Sequence, residues 1–203
     1  MASIDLKRDP GLHYRAATAP ALVTLPARSF LMIDGEGDPN TAPAYREAVA
    51  TLYPLAYALR AAIKEATGDA YTVLPLEGLW WAEDMSRFSV DAKDEWRWTL
   101  MIGLPDAVEQ VDAADVLARA VAAKRPPAGD RVRLEVYDEG AAAQVLHRGP
   151  FATEPETVER LHAFVAAEGR ALRGVHHEIY LSDLRRTAPE RLCTVIRQPV
   201  APR

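Results

Sequence analysis

The stretch Arg28-Ser29-Phe30-Leu31-Met32-Ile33-Asp34-Gly35-Glu36-Gly37-Asp38-Pro39 decides how the chain folds. Phe30, Met32 and Asp34 alternate with Leu31 and Ile33, the two-residue period of a strand running from Arg28 to Asp34. Gly35 to Pro39 is a turn, and a helix follows it. Asn40 or Thr41 is positioned to cap that helix and Pro43 fits its first turn. Tyr45, Val49, Leu52, Tyr53, Ala56, Leu59 and Ile63 recur at three and four residues and form one apolar stripe. Pro54 lies inside the stripe and predicts a kink rather than a stop, and Gly68 closes the helix.

Working outward, strands are predicted at Tyr71 to Glu83 and Glu95 to Leu104, then a connecting helix from Asp106 to Lys124, stopped by Pro126-Pro127. Alternating strands are expected at Arg131 to Tyr137 and Ala143 to Arg148. Thr153, Pro155 and Glu156 read as a capping box that opens a helix with Val158, Leu161, Phe164 and Val165 as its stripe and Gly169 as its end. Strands at Val175 to Ser182 and Leu192 to Gln198 finish the chain. Residues 1–25, broken by Pro10, Gly11 and Pro20, read as irregular.

The order repeats. A strand ending in glycine leads into a helix ending in glycine and then two strands, once from Gly35 and again from Gly149. The expected fold is therefore α+β: two tandem strand–helix–strand–strand (SHS2) modules with pseudo-two-fold symmetry and a central ligand cleft. A single domain is expected over residues 1–203, with module one at about 27–104, a linker helix and strand at 105–138, and module two at about 142–199.

Bulk chemistry narrows the function. Asp and Glu outnumber Lys and Arg by 29 to 24, whereas a duplex-binding face needs an excess of cations. Lys124-Arg125 and Arg185-Arg186 are too short to reverse that, so no nucleic acid partner is expected. The single cysteine, Cys193, cannot form an internal disulfide. The N-terminus has no apolar signal core and no run is long enough to span a bilayer, so no membrane is expected and the reading is cytoplasmic.

Two clusters carry the chemistry. Trp80, Trp81, Trp96 and Trp98 sit in two adjacent strands, with Trp96 and Trp98 on one face. They suit either a large core or a slot for a flat ligand, and their concentration favours the slot. The second cluster is Gly174-Val175-His176-His177-Glu178-Ile179-Tyr180-Leu181-Ser182-Asp183. Alternation puts His176, Glu178 and Tyr180 on one face and His177, Ile179 and Leu181 on the other. A buried, unpaired glutamate is costly, so this face lines either a polar or ligand-filled cavity or open solvent. In a cavity, apolar surroundings would raise the carboxyl pKa and suit a general base or acid. The adjacent histidines face apart and no ligand spacing exists for a metal. No nucleophile elbow is present, and Gly35-Glu36-Gly37 lacks the third glycine of a dinucleotide loop. No cofactor is expected.

These segments, together with Glu77-Gly78-Leu79-Trp80-Trp81, Trp96-Arg97-Trp98-Thr99-Leu100-Met101-Ile102, His147-Arg148-Gly149-Pro150-Phe151 and the run Arg185-Arg186-Thr187-Ala188-Pro189-Glu190, resemble the GyrI-like small-molecule-binding family. The resemblance runs from about residue 7 to 200. It implies the tandem-module fold and a ligand channel. It also implies relatives of two kinds, effector domains of multidrug-responsive regulators and stand-alone hydrolases that open the cyclopropane of DNA-alkylating natural products. With about 25 irregular residues before the first strand, no helix-turn-helix is expected.

The resemblance thus implies a hydrolase acting on cyclopropanoid compounds in detoxification. Glu178 and Tyr180 are its expected catalytic residues. Trp81, Trp98, Trp96, Trp80, Tyr137, Met101 and His176 are expected against a bulky aromatic or apolar small molecule. The alternative is a non-catalytic multidrug-binding or sequestering protein in which Glu178 faces a cation over indole rings.

Overall fold

In the computed structural model, residues 5–83, 92–183 and 186–203 are described. Residues 1–4 of the irregular N-terminal segment and Arg185 of the basic pair lie outside that set. The chain divides into two compact units. The first comprises Met1–Leu6, Arg28–Leu74 and Trp80–Tyr137, and the second Lys7–Ala27, Pro75–Leu79 and Asp138–Arg203. The architecture is mixed α+β, with antiparallel pairing throughout the registers below.

In the first unit, β2 (Arg28–Glu36) is flanked by β4 (Arg97–Gly103) and β5 (Arg133–Tyr137). The strand period puts Leu31, Ile33 and Gly35 on one face, opposite Ile102, Leu100 and Trp98 of β4. Helix α1 (Pro43–Thr67) covers that face, burying Ala48, Leu52, Leu55, Ala56, Leu59 and Ile63. Each Å2 of apolar surface they remove from water stabilises the unit by about 25 cal/mol.

Of the stripe read from the sequence, Leu52, Ala56, Leu59 and Ile63 are on this buried face, Tyr45, Val49 and Tyr53 flank it half-buried, and α1 runs through Pro54 without ending. Gly68 closes it in the left-handed region at φ 79°, its N–H reaching the Lys64 carbonyl at 2.9 Å. The N-terminus differs from expectation: the cap is Ala42, which has no side-chain bond. Asp38 explains the change. Its carboxylate accepts from the Asn40 backbone N–H at 2.9 Å and from Asn40 Nδ2 at 2.7 Å. Its carbonyl accepts from the N–H groups of Thr41 and Ala42, so Asn40, Thr41 and Ala42 are held in a turn built on Asp38 and the helix begins only after them, at Pro43.

The predicted linker helix is two elements. Asp106–Gln110 is a 3-10 turn, and α2 (Ala113–Lys124) starts anew where Asp112 accepts from the Asp115 N–H at 3.0 Å. Arg125, in the left-handed region at φ 46°, ends it before the two prolines.

In the second unit the strand order is β1 (Ala21–Leu25), β6 (Gly140–Arg148), β9 (Cys193–Pro202), β8 (His176–Tyr180) and β3 (Leu76–Trp81). β7 (Arg170–Leu172) pairs the far end of β9. The first residues of β3 belong here, and Trp80 and Trp81 belong to the first unit. Helix α3 (Glu154–Ala167) lays Leu161 and Val165, with Val158 and Phe164 beside them, on Ala143, Val145, Ile196 and Val200.

Two sequence expectations fail in this unit. Residues 21–25 are not irregular but a strand paired to β6, framed by Pro20 and Pro26, which stop it at both ends. Thr153 does precede α3, but its side chain caps nothing. Its hydroxyl donates instead to the Pro150 carbonyl at 2.9 Å, beside His147, which the Thr157 hydroxyl holds at 2.9 Å.

Candidate functional site

The two-residue period of β8 separates two polar systems by one strand. On one face, Glu178 is held at both oxygens: His176 Nε2 lies 3.0 Å from Oε1, and the Tyr180 hydroxyl donates to Oε2 at 2.8 Å. The Phe151 ring meets Tyr180 edge-on at 6.0 Å. The side chains of His176 and Glu178 are only 9% and 14% exposed. The face is therefore neither solvated strand surface nor unpaired core charge. Each carboxylate oxygen has two acceptor directions, so Glu178 keeps acceptor capacity for a water or ligand proton.

On the other face, His177 lies between two glutamates. Its Nδ1 is 2.8 Å from Glu139 Oε1 and its Nε2 is 3.0 Å from Glu77 Oε2. Both ring nitrogens face carboxylates, which calls for the doubly protonated ring. Arg197, opposite His177 on β9, donates to Glu139 Oε2 at 2.9 Å and to Gln144 Oε1, and the Tyr14 hydroxyl donates to Glu77 Oε1 at 2.5 Å.

Burial alone pushes His177 down, but the Glu139 charge and hydrogen bond, then those of Glu77, lift its pKa to about 9. Burial likewise pushes Glu139 up, and His177 and Arg197 overcome it, holding the carboxyl at about 2. Two buried cations thus balance two buried carboxylates, the condition under which burying such charges is tolerable.

This back network escaped the sequence reading. The signal was present as charged residues inside apolar strand patterns: Glu77 beside Leu76 and Leu79, and Arg197 after Val195-Ile196. Which partners they meet depends on strand order, which the alternation pattern does not encode.

The predicted aromatic residues fall in the first unit. Trp80 stacks on Tyr45 at 6.1 Å and meets Trp96 edge-on at 5.5 Å, while Trp98 meets Tyr45 edge-on at 5.5 Å. Trp98 is fully buried and Trp80 nearly so. This differs from the expectation that all four indoles line a slot. Gly35 makes the packing possible: its missing side chain leaves the space that the Trp98 ring fills, and a Cβ there would stand 2.1 Å from Trp98 Cη2. The Trp98 indole N–H donates to the Gly37 carbonyl at 3.3 Å. Trp81 and Trp96 remain half-buried, and the Lys93 ammonium sits over the Trp96 ring at 5.6 Å. Met101 is enclosed in β4, and Tyr137 packs edge-on against Phe30 at 6.2 Å.

Among the described residues, no helix is long and apolar enough to cross a membrane.

Comparison with known proteins gives the family. The GyrI-like small molecule binding domain matches residues 18–201. A conserved protein of uncharacterised function from Listeria innocua is 34% identical, with a TM-score of 0.86 over 98% of this chain and 100% of its own. A hydrolase from the same organism is 33% identical, with a TM-score of 0.86 over the same shares. The C-terminal domain of EcmrR shares the fold at 12% identity and a TM-score of 0.57, over 91% of this chain and 98% of that domain. No curated protein sequence matches the chain. A domain match spanning nearly the whole chain, with relatives of equal length and a third of their residues identical, assigns it to a family that binds small molecules: the chain belongs to the GyrI-like small molecule binding domain family.

Proposed function

We propose that this protein is a hydrolase that opens the cyclopropane of electrophilic, DNA-alkylating cyclopropanoid compounds and so detoxifies them. The observation that supports it most is the carboxylate of Glu178, enclosed and aimed by His176 and Tyr180 on a strand whose other face is locked by ion pairs. The hydrolase relative from Listeria innocua, 33% identical over its full length, adds support for hydrolytic chemistry.

In the proposed reaction, Glu178 accepts a proton from water as the water oxygen bonds to the strained methylene carbon. The carbon–carbon bond of the ring breaks, its electron pair enters the conjugated dienone, and the carbonyl oxygen takes up a proton as the ring becomes a phenol. Strain and aromatisation drive the step, so the protein supplies positioning and one base. Tyr180 and His176 fix the carboxylate. Trp81 and Trp96 are the indoles proposed to touch the planar substrate, and Trp80 packs edge-on against Trp96.

The test is incubation with a duocarmycin-type cyclopropanoid and detection of the hydrated, ring-opened product. Glu178→Gln keeps the shape but cannot accept the proton, so single-turnover ring opening should fall by roughly a hundredfold or more with binding of the neutral compound retained. Full activity in that variant refutes the mechanism. Tight binding of cationic aromatics with no product from the unaltered protein would establish the sequestering role instead.

A further inference from the structure

We propose that β5 is the seam of a two-fold homodimer, in which a second copy of the same strand extends the sheet of the first unit. Among the described residues, β5 pairs on one side only, with β2, and ends the strand order. Free edges are normally blunted by shortness, by charges (lysine above all), by proline or by a bulge; the five-residue β5 carries Arg133 and Glu135 but neither lysine nor proline. Leu134 is instead 41% exposed and Val136 62% exposed.

The order of residues selects the occupant. Antiparallel pairing about Leu134 sets Arg133 opposite the partner's Glu135 and Leu134 opposite the partner's Leu134, and brings Val132, the residue that precedes β5, to the partner's Val136. The strand is its own complement. Strand alternation keeps the three apolar positions on one face and the two charges on the other. Pairing about one residue by a two-fold axis is the isologous arrangement that closed dimers require.

The cation is already placed for this contact. Arg133 Nη1 lies 2.8 Å from Asp34 Oδ2 and its Nε 2.6 Å from Glu135 Oε2, while Thr99 holds the other Asp34 oxygen at 2.6 Å. The remaining nitrogen, Nη2, reaches the Met32 sulfur at 3.7 Å, a weak acceptor. An unrelated apolar strand could pair with this edge, whereas a second copy matches both charges and the apolar positions at once. The seam is independent of the proposed reaction.

The experiment is sedimentation velocity on the full chain from about 1 to 100 µM, with Glu135→Arg and Arg133→Glu studied separately and mixed. The unaltered protein should dimerise. Each variant alone opposes like charges at both ends of the seam and should dissociate about tenfold or more easily. The equimolar mixture pairs two basic positions with two acidic ones and should regain the dimer. A monomeric unaltered protein, single variants that dimerise normally, or a mixture no tighter than its components each overturns the proposal. Arg133→Glu sets an acid beside Asp34; should it not fold, Val136→Lys replaces it. That residue is exposed, so the fold is kept, and an undiminished dimer in Val136→Lys refutes the seam.

Discussion

Raising the pH from 6.5 to 9 should remove a large part of the stability of the second unit. The folded protein holds the His177 proton with a pKa of about 9, against 6.5 for the free side chain. The folded state therefore binds this proton more tightly than the unfolded state does. Its contribution is complete below pH 6.5 and is lost as the pH rises through 9. At about 1.36 kcal/mol per pH unit, that interval is worth roughly 3 kcal/mol. For a chain of this length the loss reads as a fall in melting temperature of about 6–12 °C.

The acid side has the opposite sign: Glu139, held at about 2 against a free value of 4.5, contributes fully above pH 4.5 and loses its contribution as the pH falls through 2. Urea unfolding followed by far-ultraviolet circular dichroism at pH 6.5, 8 and 9.5 reads this loss. His177→Asn supplies the control. It leaves Glu77 and Glu139 buried without the cation between them, so it should be less stable by about 3–5 kcal/mol, with no further alkaline loss from this site. An equal alkaline loss in His177→Asn and in the unaltered protein would refute the assignment of the proton to His177.

Gly35→Ala should destabilise the first unit by about 1–3 kcal/mol and shift tryptophan emission, because the new methyl collides with the Trp98 ring at 2.1 Å. Trp98→Ala should cost about 3–5 kcal/mol of stability, read by thermal melting, since the ring is fully buried. Trp81→Ala or Trp96→Ala should lower the melting temperature less than Trp98→Ala does and weaken binding of a planar apolar ligand by about 1–3 kcal/mol, measured by saturable fluorescence quenching. Unchanged affinity in both would remove these indoles from the proposed contact set.

What was legible in the sequence follows the range of the forces involved. The α1 stripe, the Gly68 stop and the alternation of His176, Glu178 and Tyr180 depend on the period of one element, and all three appear in the structure. Helix entry depends on competing local acceptors, so Asp38 displaced the expected cap at Asn40 or Thr41, and Thr153 turned to Pro150. β1 was hidden between two prolines, and β7 is too short to show a period. The fate of the tryptophans was set by what they meet. Their concentration favours a slot, but Gly35 and Tyr45 supply the space and the surface that Trp98 and Trp80 need in the core.

The adjacent histidines of β8 show why the candidate site needed three dimensions. They are the same residue type one position apart, and strand parity alone sends them to opposite tasks. His177 enters a closed network where every carboxylate oxygen of Glu77 and Glu139 accepts a hydrogen bond from His177, Arg197 or Tyr14. His176 meets a glutamate that retains some exposure. Moving a side chain in the closed network exposes an uncompensated charge, so that network resists displacement of β8. Glu178 shares the same backbone, and its two hydrogen bonds act from a strand already fixed behind it. Little further ordering is then required when a ligand or water reaches the carboxylate, which is the condition under which a single base gives the most rate. The buried ion pairs therefore belong to the functional argument even though none of them faces the Glu178 side of the strand.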